Sequence, residues 1–188
     1  MPKPLPGHSA LFLDIDGTLL DFAARPELVV VPLGLPELLT ALHRQCAGAL
    51  AILTGRPLEQ VDGFFPGKLP AAAEHGAVVR DETGAPRHIT RRPAMFDAWL
   101  ETVSRETRHM PGVVVEVKHV GIVLHYRQAP EYGEAMHALG ERLIASSGPD
   151  VTLLKAHMAF ELRPKGPSKD AALGWFMGRT PWQGRVPV

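Results

Sequence analysis

Cysteine is almost absent from this sequence: Cys46 is the only one among 188 residues. A single cysteine excludes an intramolecular disulfide framework and is typical of a reducing compartment. Neither charge dominates, because 20 Lys and Arg residues balance 20 Asp and Glu residues, and this excludes the basic field of a nucleic-acid-binding protein. No apolar run is long enough to span a bilayer, and residues 1–8 lack the apolar stretch of a secretory signal. We therefore expect a soluble, cytoplasmic protein with no nucleic-acid or membrane partner.

What the sequence does contain is an acidic motif, Asp14-Ile15-Asp16-Gly17-Thr18-Leu19, directly after the apolar run 10–13. An apolar run closed by a glycine turn predicts a buried strand that ends in a loop. Two carboxylates one residue apart share a crevice at that end, and they need a cation to be ionised together. Hard oxygen ligands favour Mg²⁺, usually shared with a phosphate, and one acid can then attack phosphorus while the other transfers protons.

Two other interpretations of this motif are a plain surface turn and a calcium loop. A calcium loop requires further acidic or amide ligands and a closing glutamate. Leu19 and Leu20 supply none of these ligands. The motif therefore favours catalysis of phosphoryl transfer.

Strands and helices alternate along the first half of the chain. Apolar strands are predicted at 10–13, 49–53 and 71–73, with helices at 35–45 and 57–64 between them. This alternation is typical of an α/β fold with a doubly wound parallel sheet, in which ligands gather at the carboxyl ends of the strands. The polar residues that follow the three strands, and that we expect to meet at that edge, are Asp14, Asp16, Thr54, Arg56, Glu74 and His75.

From residue 93 the pattern changes to a helix followed by a hairpin, and this unit occurs twice. Helices are predicted at 93–109 and 131–146, with paired strands at 113–118 and 121–127 and at 151–154 and 158–163. The resulting αββαββ arrangement predicts one antiparallel sheet covered by two helices.

Period-two alternation divides the residues of this sheet between two faces. The apolar face comprises Val113, Val115, Val117, Ile122, Leu124, Tyr126, Met158, Phe160 and Leu162. The polar face comprises Glu116, Lys118, His125, Arg127, Glu161 and Arg163. An ordinary solvated face is the alternative interpretation, but this mixture of carboxylates and basic groups suits a polyol phosphate.

A basic turn at 163–169 leads into a last helix that begins at Pro167 or Ser168. An anion near the start of a helix meets free N–H groups and the positive end of the helix dipole. Lys169 is poorly placed there for helix stability and well placed to bind a phosphate. The alternative is a solvated lysine.

The motif DIDGTL resembles the first motif of the haloacid dehalogenase (HAD) phosphohydrolases. Four further segments make the resemblance more specific, to the trehalose-6-phosphate phosphatases of that superfamily: Glu74-His75-Gly76, Glu116-x-Lys118, His125-Tyr126-Arg127, and Glu161-Leu162-Arg163-Pro164 with Ser168-Lys169. The resemblance implies a HAD-like, Rossmann-like core over residues 1–88 and 164–188. It also implies an α/β cap domain inserted over residues 89–163.

The same resemblance implies a chemical role for each motif residue. Asp14 would be the nucleophile that forms an aspartyl-phosphate with trehalose 6-phosphate, and Asp16 the general acid and base. Thr54 and Lys169 would hold the phosphoryl oxygens, and Mg²⁺ would be bound by the Asp14 carboxylate and the Asp16 backbone carbonyl. The residues expected to bind the substrate are Arg56, His75, Glu116, Lys118, Arg127 and Glu161.

The sequence departs from the family pattern in two places. Asp170 follows Lys169 where the family usually has glycine, and an acidic Gly-Asp-Asp loop is not found after residues 185–188, which resemble the opening of its strand. We therefore expect a core that is incomplete at its C-terminus and lacks the strand beside Asp14. Two alternatives stay open: a phosphatase for another sugar phosphate, such as mannosyl-phosphoglycerate or sucrose phosphate, and a truncated, non-catalytic sugar-phosphate-binding protein.

Overall fold

A computed structural model describes residues 8–21, 23 and 28–188. The chain forms two compact units, one of Met1–Ile89 with Pro167–Val188 and one of Thr90–Gly166. We call these the core unit and the inserted unit. The sequence placed the two boundaries after residues 88 and 163, and the structure places them after residues 89 and 166. Residues 1–7, 22 and 24–27 of the predicted core lie outside the described residues.

The secondary structure follows the predicted alternation closely. The strands are β1 (Ser9–Leu13), β2 (Leu50–Leu53), β3 (Ala71–Ala73), β4 (Val78–Arg80), β5 (Pro86–His88), β6 (Val114–Val117), β7 (Ile122–His125), β8 (Val151–Ala156), β9 (Ala159–Pro164) and β10 (Val186–Pro187). The helices are α1 (Leu35–Gln45), α2 (Leu58–Phe64), α3 (Phe96–Thr107), α4 (Gly133–Ala145) and α5 (Lys169–Met177).

The core unit is built on one sheet with the strand order β10-β1-β2-β3-β4-β5. The pairs β10–β1, β1–β2 and β2–β3 are parallel, whereas β4 and β5 add on as antiparallel strands. Both faces of the sheet are covered, because Leu50 and Ile52 pack in one apolar cluster while Ala51 and Leu53 pack in another. Burial on both faces is what the continuous apolar runs of β1 and β2 predicted.

Two features of this sheet differ from the sequence analysis. The expectation that the strand beside Asp14 is missing was wrong, since β10 pairs in parallel with β1, with Ser9 opposite Val186 and Ala10 opposite Pro187. The hairpin of β4 and β5 was not predicted. Its strands have three residues each, and β5 is exposed throughout and begins with a proline, so neither strand gives an alternating pattern.

The inserted unit contains the expected antiparallel sheet, in the order β6-β7-β9-β8. Its apolar core joins strand residues such as Leu124 and Leu162 to Trp99 of α3 and Met136 of α4, all of them buried. Two members of the predicted apolar face do not fit. Val117 is 47% exposed at the end of the edge strand β6. Met158 lies in the tight turn between β8 and β9 with a φ of 55°, so it belongs to no strand.

Candidate active site

The two acidic residues of the first motif lie just beyond the carboxyl end of β1. Ile15 between them is fully buried in the core, so its side chain points away from the solvent that the carboxylates reach. The Asp14 Oδ1 atom accepts a 2.8 Å hydrogen bond from the Ile15 N–H. Gly17, with a φ of 76°, then reverses the chain, and its N–H donates to the Leu20 carbonyl. This turn holds both carboxylates at the rim of the sheet.

Each carboxylate is paired with its own cation. Asp14 Oδ2 accepts from the Lys169 ammonium, and these residues lie 155 positions apart in the chain. The Arg56 guanidinium grips Asp16, with Nη2 2.7 Å from Oδ1 and Nε 2.9 Å from Oδ2. A cation beside each acid offsets the repulsion between two carboxyl groups that are so close in the chain.

Arg56 is itself held by two residues of α2. Its Nη1 atom donates a 2.8 Å hydrogen bond to the Gln60 Oε1 atom. Its guanidinium lies over the Phe64 ring, 5.1 Å from the ring centre. These contacts fix the direction from which the guanidinium approaches Asp16.

The loops after β2 and β3 are tied to each other by backbone hydrogen bonds. Thr54 is fully buried, its hydroxyl accepts from the Arg56 N–H at 3.1 Å, and its carbonyl accepts from the His75 N–H at 2.9 Å. A Cβ atom on Gly55 would lie 2.6 Å from the His75 ring, so glycine is needed for this close approach. The structure thus places Thr54, Arg56 and His75 at one edge of the core sheet.

The Glu74-His75-Gly76 segment forms a 3₁₀ turn in a left-handed backbone conformation, with φ values of 47°, 58° and 99°. A Cβ atom on Gly76 would meet the Ser168 carbonyl at 3.0 Å. The turn therefore packs against the start of α5, where the Ser168 hydroxyl caps the helix by accepting from the Ala171 N–H. This contact helps to position the start of α5, where Lys169 pairs with Asp14. The Glu74-His75-Gly76 segment therefore has a structural role that the sequence analysis did not identify.

A cavity of about 430 Å³ opens beside the Asp14–Lys169 pair. Its lining residues all belong to the core unit: Phe12, Asp14, Leu53, Lys169, Leu173, Pro187 and Val188. Apart from the ion pair, this lining is apolar. An apolar surface lowers the local dielectric, which strengthens the attraction between the Lys169 ammonium and a nearby anion.

The predicted polar face of the inserted unit forms a second cluster, described here by itself. The Lys118 ammonium donates to Glu161 at 3.0 Å, and both side chains are more than nine-tenths buried. The His125 ring lies 2.8 Å from a Glu116 carboxylate oxygen. The other two basic residues predicted for this face, Arg127 and Arg163, are partly buried. The alternative interpretation, an ordinary solvated face, is therefore wrong for Lys118, Glu161, His125 and Glu116, which pair with one another.

The charge of Glu116 is set by this cluster. Burial raises the pKa of its carboxyl group, and the nearby Glu161 acts in the same direction. The hydrogen bond from His125 and the positive charges of Lys118 and His125 outweigh both effects, so the pKa lies below its usual value. Glu116 is therefore an ionised acceptor at neutral pH.

The chain is similar to a known protein family over most of its length. A model of the trehalose-phosphatase family matches residues 12–188. The chain belongs to the trehalose-phosphatase family. This confirms the predicted class of enzyme, a phosphoric monoester hydrolase.

Two curated trehalose-phosphatases illustrate the relationship. The chain is 39% identical over 180 residues to a probable trehalose-phosphate phosphatase of Sinorhizobium fredii, covering 95% of this chain and 68% of that protein. It is 36% identical over 184 residues to the trehalose-6-phosphate phosphatase of Escherichia coli, covering 95% of this chain and 67% of that protein.

Solved structures agree on the fold. The C-terminal domain of a C. albicans trehalose-6-phosphate phosphatase matches with a TM-score of 0.78 at 21% identity, over 92% of this chain and 62% of that chain. A haloacid dehalogenase-like hydrolase from Bacteroides thetaiotaomicron matches with a TM-score of 0.63 at 12% identity, over 89% of this chain and 75% of that chain. The HAD-like fold class predicted for this trehalose-phosphatase family member is confirmed.

Three observations concern the metal cofactor and membrane-spanning helices. HAD phosphatases generally use Mg²⁺. Within residues 8–21, 23 and 28–188, the structure has no group of three or more His, Cys, Asp or Glu side chains arranged to hold a metal ion. In the same part of the chain, no helix combines the length and the apolar character that crossing a membrane requires.

Proposed function

We propose that this chain hydrolyses trehalose 6-phosphate to trehalose and inorganic phosphate, as a step of trehalose biosynthesis. One observation carries the proposal: a carboxylate and an ammonium group from opposite ends of the chain, those of Asp14 and Lys169, meet beyond the carboxyl end of the parallel strand β1. Membership of the trehalose-phosphatase family supports the choice of substrate.

In the proposed reaction, a carboxylate oxygen of Asp14 attacks phosphorus in line as the bond from phosphorus to the sugar oxygen breaks. Asp16 donates a proton to that leaving oxygen. In the second half, Asp16 takes a proton from water, the water oxygen attacks phosphorus, and the Asp14 carboxylate is restored as phosphate leaves. The two steps together consume only trehalose 6-phosphate and water.

Charge neutralisation and positioning supply most of the rate in phosphoryl transfer. The Lys169 ammonium lies against the nucleophile, where it would also contact the equatorial oxygens of the phosphoryl group. The Thr54 hydroxyl is oriented by the hydrogen bond that it accepts from the Arg56 N–H. Arg56 orients Asp16 through two parallel hydrogen bonds, a geometry that fixes the plane of the carboxylate.

The residues present fit a magnesium ion that is shared with substrate. Mg²⁺ is usually bound by one or two carboxylates, with phosphate oxygens and water completing its shell. Asp14 and the backbone carbonyl of Asp16 are the groups that would hold it, since both lie at the end of β1. When bound, the ion would neutralise charge on the phosphoryl oxygens.

We assign recognition of the disaccharide to Glu116, Lys118, Arg127 and Glu161, with Arg56 and His75 as further substrate-binding residues. Sugar hydroxyls both donate and accept hydrogen bonds, and the inserted unit offers carboxylates and basic groups on one sheet face. Such polar groups distinguish substrates strongly, because an analogue that lacks the matching hydroxyl leaves them unpaired.

Release of inorganic phosphate by the whole chain tests the proposal. We expect trehalose 6-phosphate to give the highest kcat/KM among trehalose 6-phosphate, sucrose phosphate and mannosyl-phosphoglycerate, and we expect turnover to require Mg²⁺. A higher kcat/KM for another sugar phosphate would reassign the substrate. Binding of trehalose 6-phosphate without turnover would favour a non-catalytic binding protein.

Arg127→Ala tests the assignment of the inserted unit to sugar recognition. We expect KM for trehalose 6-phosphate to rise about tenfold or more, because a charged hydrogen-bond donor to the sugar is lost. The rise should be much smaller for p-nitrophenyl phosphate, which has no sugar. Steady-state kinetics on both substrates gives the comparison, and equal effects on the two KM values would remove Arg127 from the sugar site.

A further inference from the structure

His125 lies on the polar face and pairs with a substrate-binding residue, Glu116, yet it has no role of its own in the proposed function. The strand that carries it is firmly held. Leu124, just before it, is fully buried, and Tyr126, just after it, stacks on Phe160 with ring centres 5.4 Å apart. Since side chains alternate along a strand, these anchors on the apolar face direct His125 to the opposite, polar face.

The strand register brings His125 to Glu116. In the β6–β7 pair, His125 lies opposite Val114, so Glu116 is two residues further along β6 on the same face. Such diagonal neighbours are within reach of long side chains. The Nε2 atom of His125 is 2.8 Å from the Oε2 atom of Glu116. An ionised carboxylate only accepts hydrogen bonds, so Nε2 carries the hydrogen in this pair.

Glu116 belongs to a row of residues across three strands. It lies opposite Val123 of β7, which in turn lies opposite Glu161 of β9. Each end of the row has a carboxylate that pairs with a basic side chain, Lys118 at Glu161 and His125 at Glu116, and the middle is the buried Val123. A carboxylate discriminates between hydroxyl positions only when its orientation is fixed, because a mobile one adapts to either position.

We infer that His125 is a positioning residue for substrate specificity, which holds the Glu116 carboxylate in the orientation that recognises sugar hydroxyls. This inference rests on the proposed function. His125 acts through Glu116 and does not itself touch the reacting atoms. A purely structural role would instead lower stability without changing the choice of substrate.

The test compares three variants at this position. His125→Leu removes the donor, His125→Asn keeps polarity but is too short to reach Glu116, and His125→Gln places an N–H close to the former Nε2 position. The readout is the ratio of kcat/KM for trehalose 6-phosphate to kcat/KM for p-nitrophenyl phosphate. We expect the Leu and Asn variants to lower this ratio about tenfold and the Gln variant to restore it to within about threefold of wild type.

The matched control is His137→Leu, the same change at an exposed histidine of the inserted unit whose contact with Glu141 is long, at 3.6 Å. The ratio should stay at the wild-type value in this variant. A second test measures the same ratio for His125→Leu in a protein that also carries Glu116→Gln. There, His125→Leu should lower the ratio by less than about twofold, because residues that act as one unit are not additive.

The outcomes separate this inference from the proposed function. Wild-type protein that neither hydrolyses nor binds trehalose 6-phosphate would overturn both. With an active wild type, an unchanged ratio in the Leu and Asn variants would overturn only the role of His125, as would a Gln variant no better than Asn. If His125→Leu does not fold, as judged by circular dichroism and thermal unfolding, the comparison of Asn with Gln gives the decision.

Discussion

Asp14→Asn should abolish turnover of trehalose 6-phosphate, with kcat reduced by about 10⁴-fold or more, while the fold stays intact. An amide is too weak a nucleophile to attack phosphorus, and the proposed mechanism offers no second group to replace it. The fold should tolerate the change because the side chain is 38% exposed and an amide oxygen still accepts from the Ile15 N–H.

Release of inorganic phosphate and thermal unfolding together check this result. The matched control is Asp170→Asn, the same chemical change at an exposed acid next to Lys169. That control should keep kcat within about threefold of wild type, since it removes only a modest interaction with the helix dipole. Turnover by Asp14→Asn at more than about a hundredth of the wild-type rate would exclude Asp14 as the nucleophile.

The sequence was sufficient for the parts of the fold that depend on local pattern. β1 and β2 are apolar on both faces, and Ser168 before Lys169 is a helix cap, so strands and helix start were readable directly. The position of Lys169 followed from the same signal. The short, exposed hairpin of β4 and β5 was not readable, and the two-residue strand β10 was expected only through the family resemblance of residues 185–188.

The pairing of charged groups in the site depended on tertiary packing. Proximity of Arg56 to Asp16 was expected from the parallel sheet, but their two-point contact depends on α2, where Gln60 and Phe64 direct the guanidinium. One pair was within reach of sequence reasoning. Glu116 and His125 were both placed on the polar face of one hairpin, and the turn between its strands, where the Lys118 N–H donates to the Gly121 carbonyl, sets the register that joins them.

Electrostatic repulsion between the nucleophile and the phosphoryl group makes a second substitution, at Lys169, strongly damaging to catalysis. Asp14 must be ionised to attack, yet the phosphoryl group that it attacks is itself an anion. Lys169 is the residue whose side chain pairs with Asp14, and it stands in the first turn of α5 where the helix dipole also favours an anion. One ammonium group thus offsets repulsion between the nucleophile and its target.

Lys169→Met should therefore lower kcat/KM for trehalose 6-phosphate by about 10³-fold, because the side chain keeps most of its length but loses the charge that stabilises the transition state. Lys169→Arg keeps a cation in a different geometry and should recover part of the loss. The matched control is Lys165→Met, at an exposed lysine of the preceding turn, which should remain within about twofold of wild type. Steady-state kinetics at fixed Mg²⁺ gives the three values. A loss below about tenfold for Lys169→Met, or an equal loss for Lys165→Met, would mean that the ammonium contact with Asp14 does not assist phosphoryl transfer.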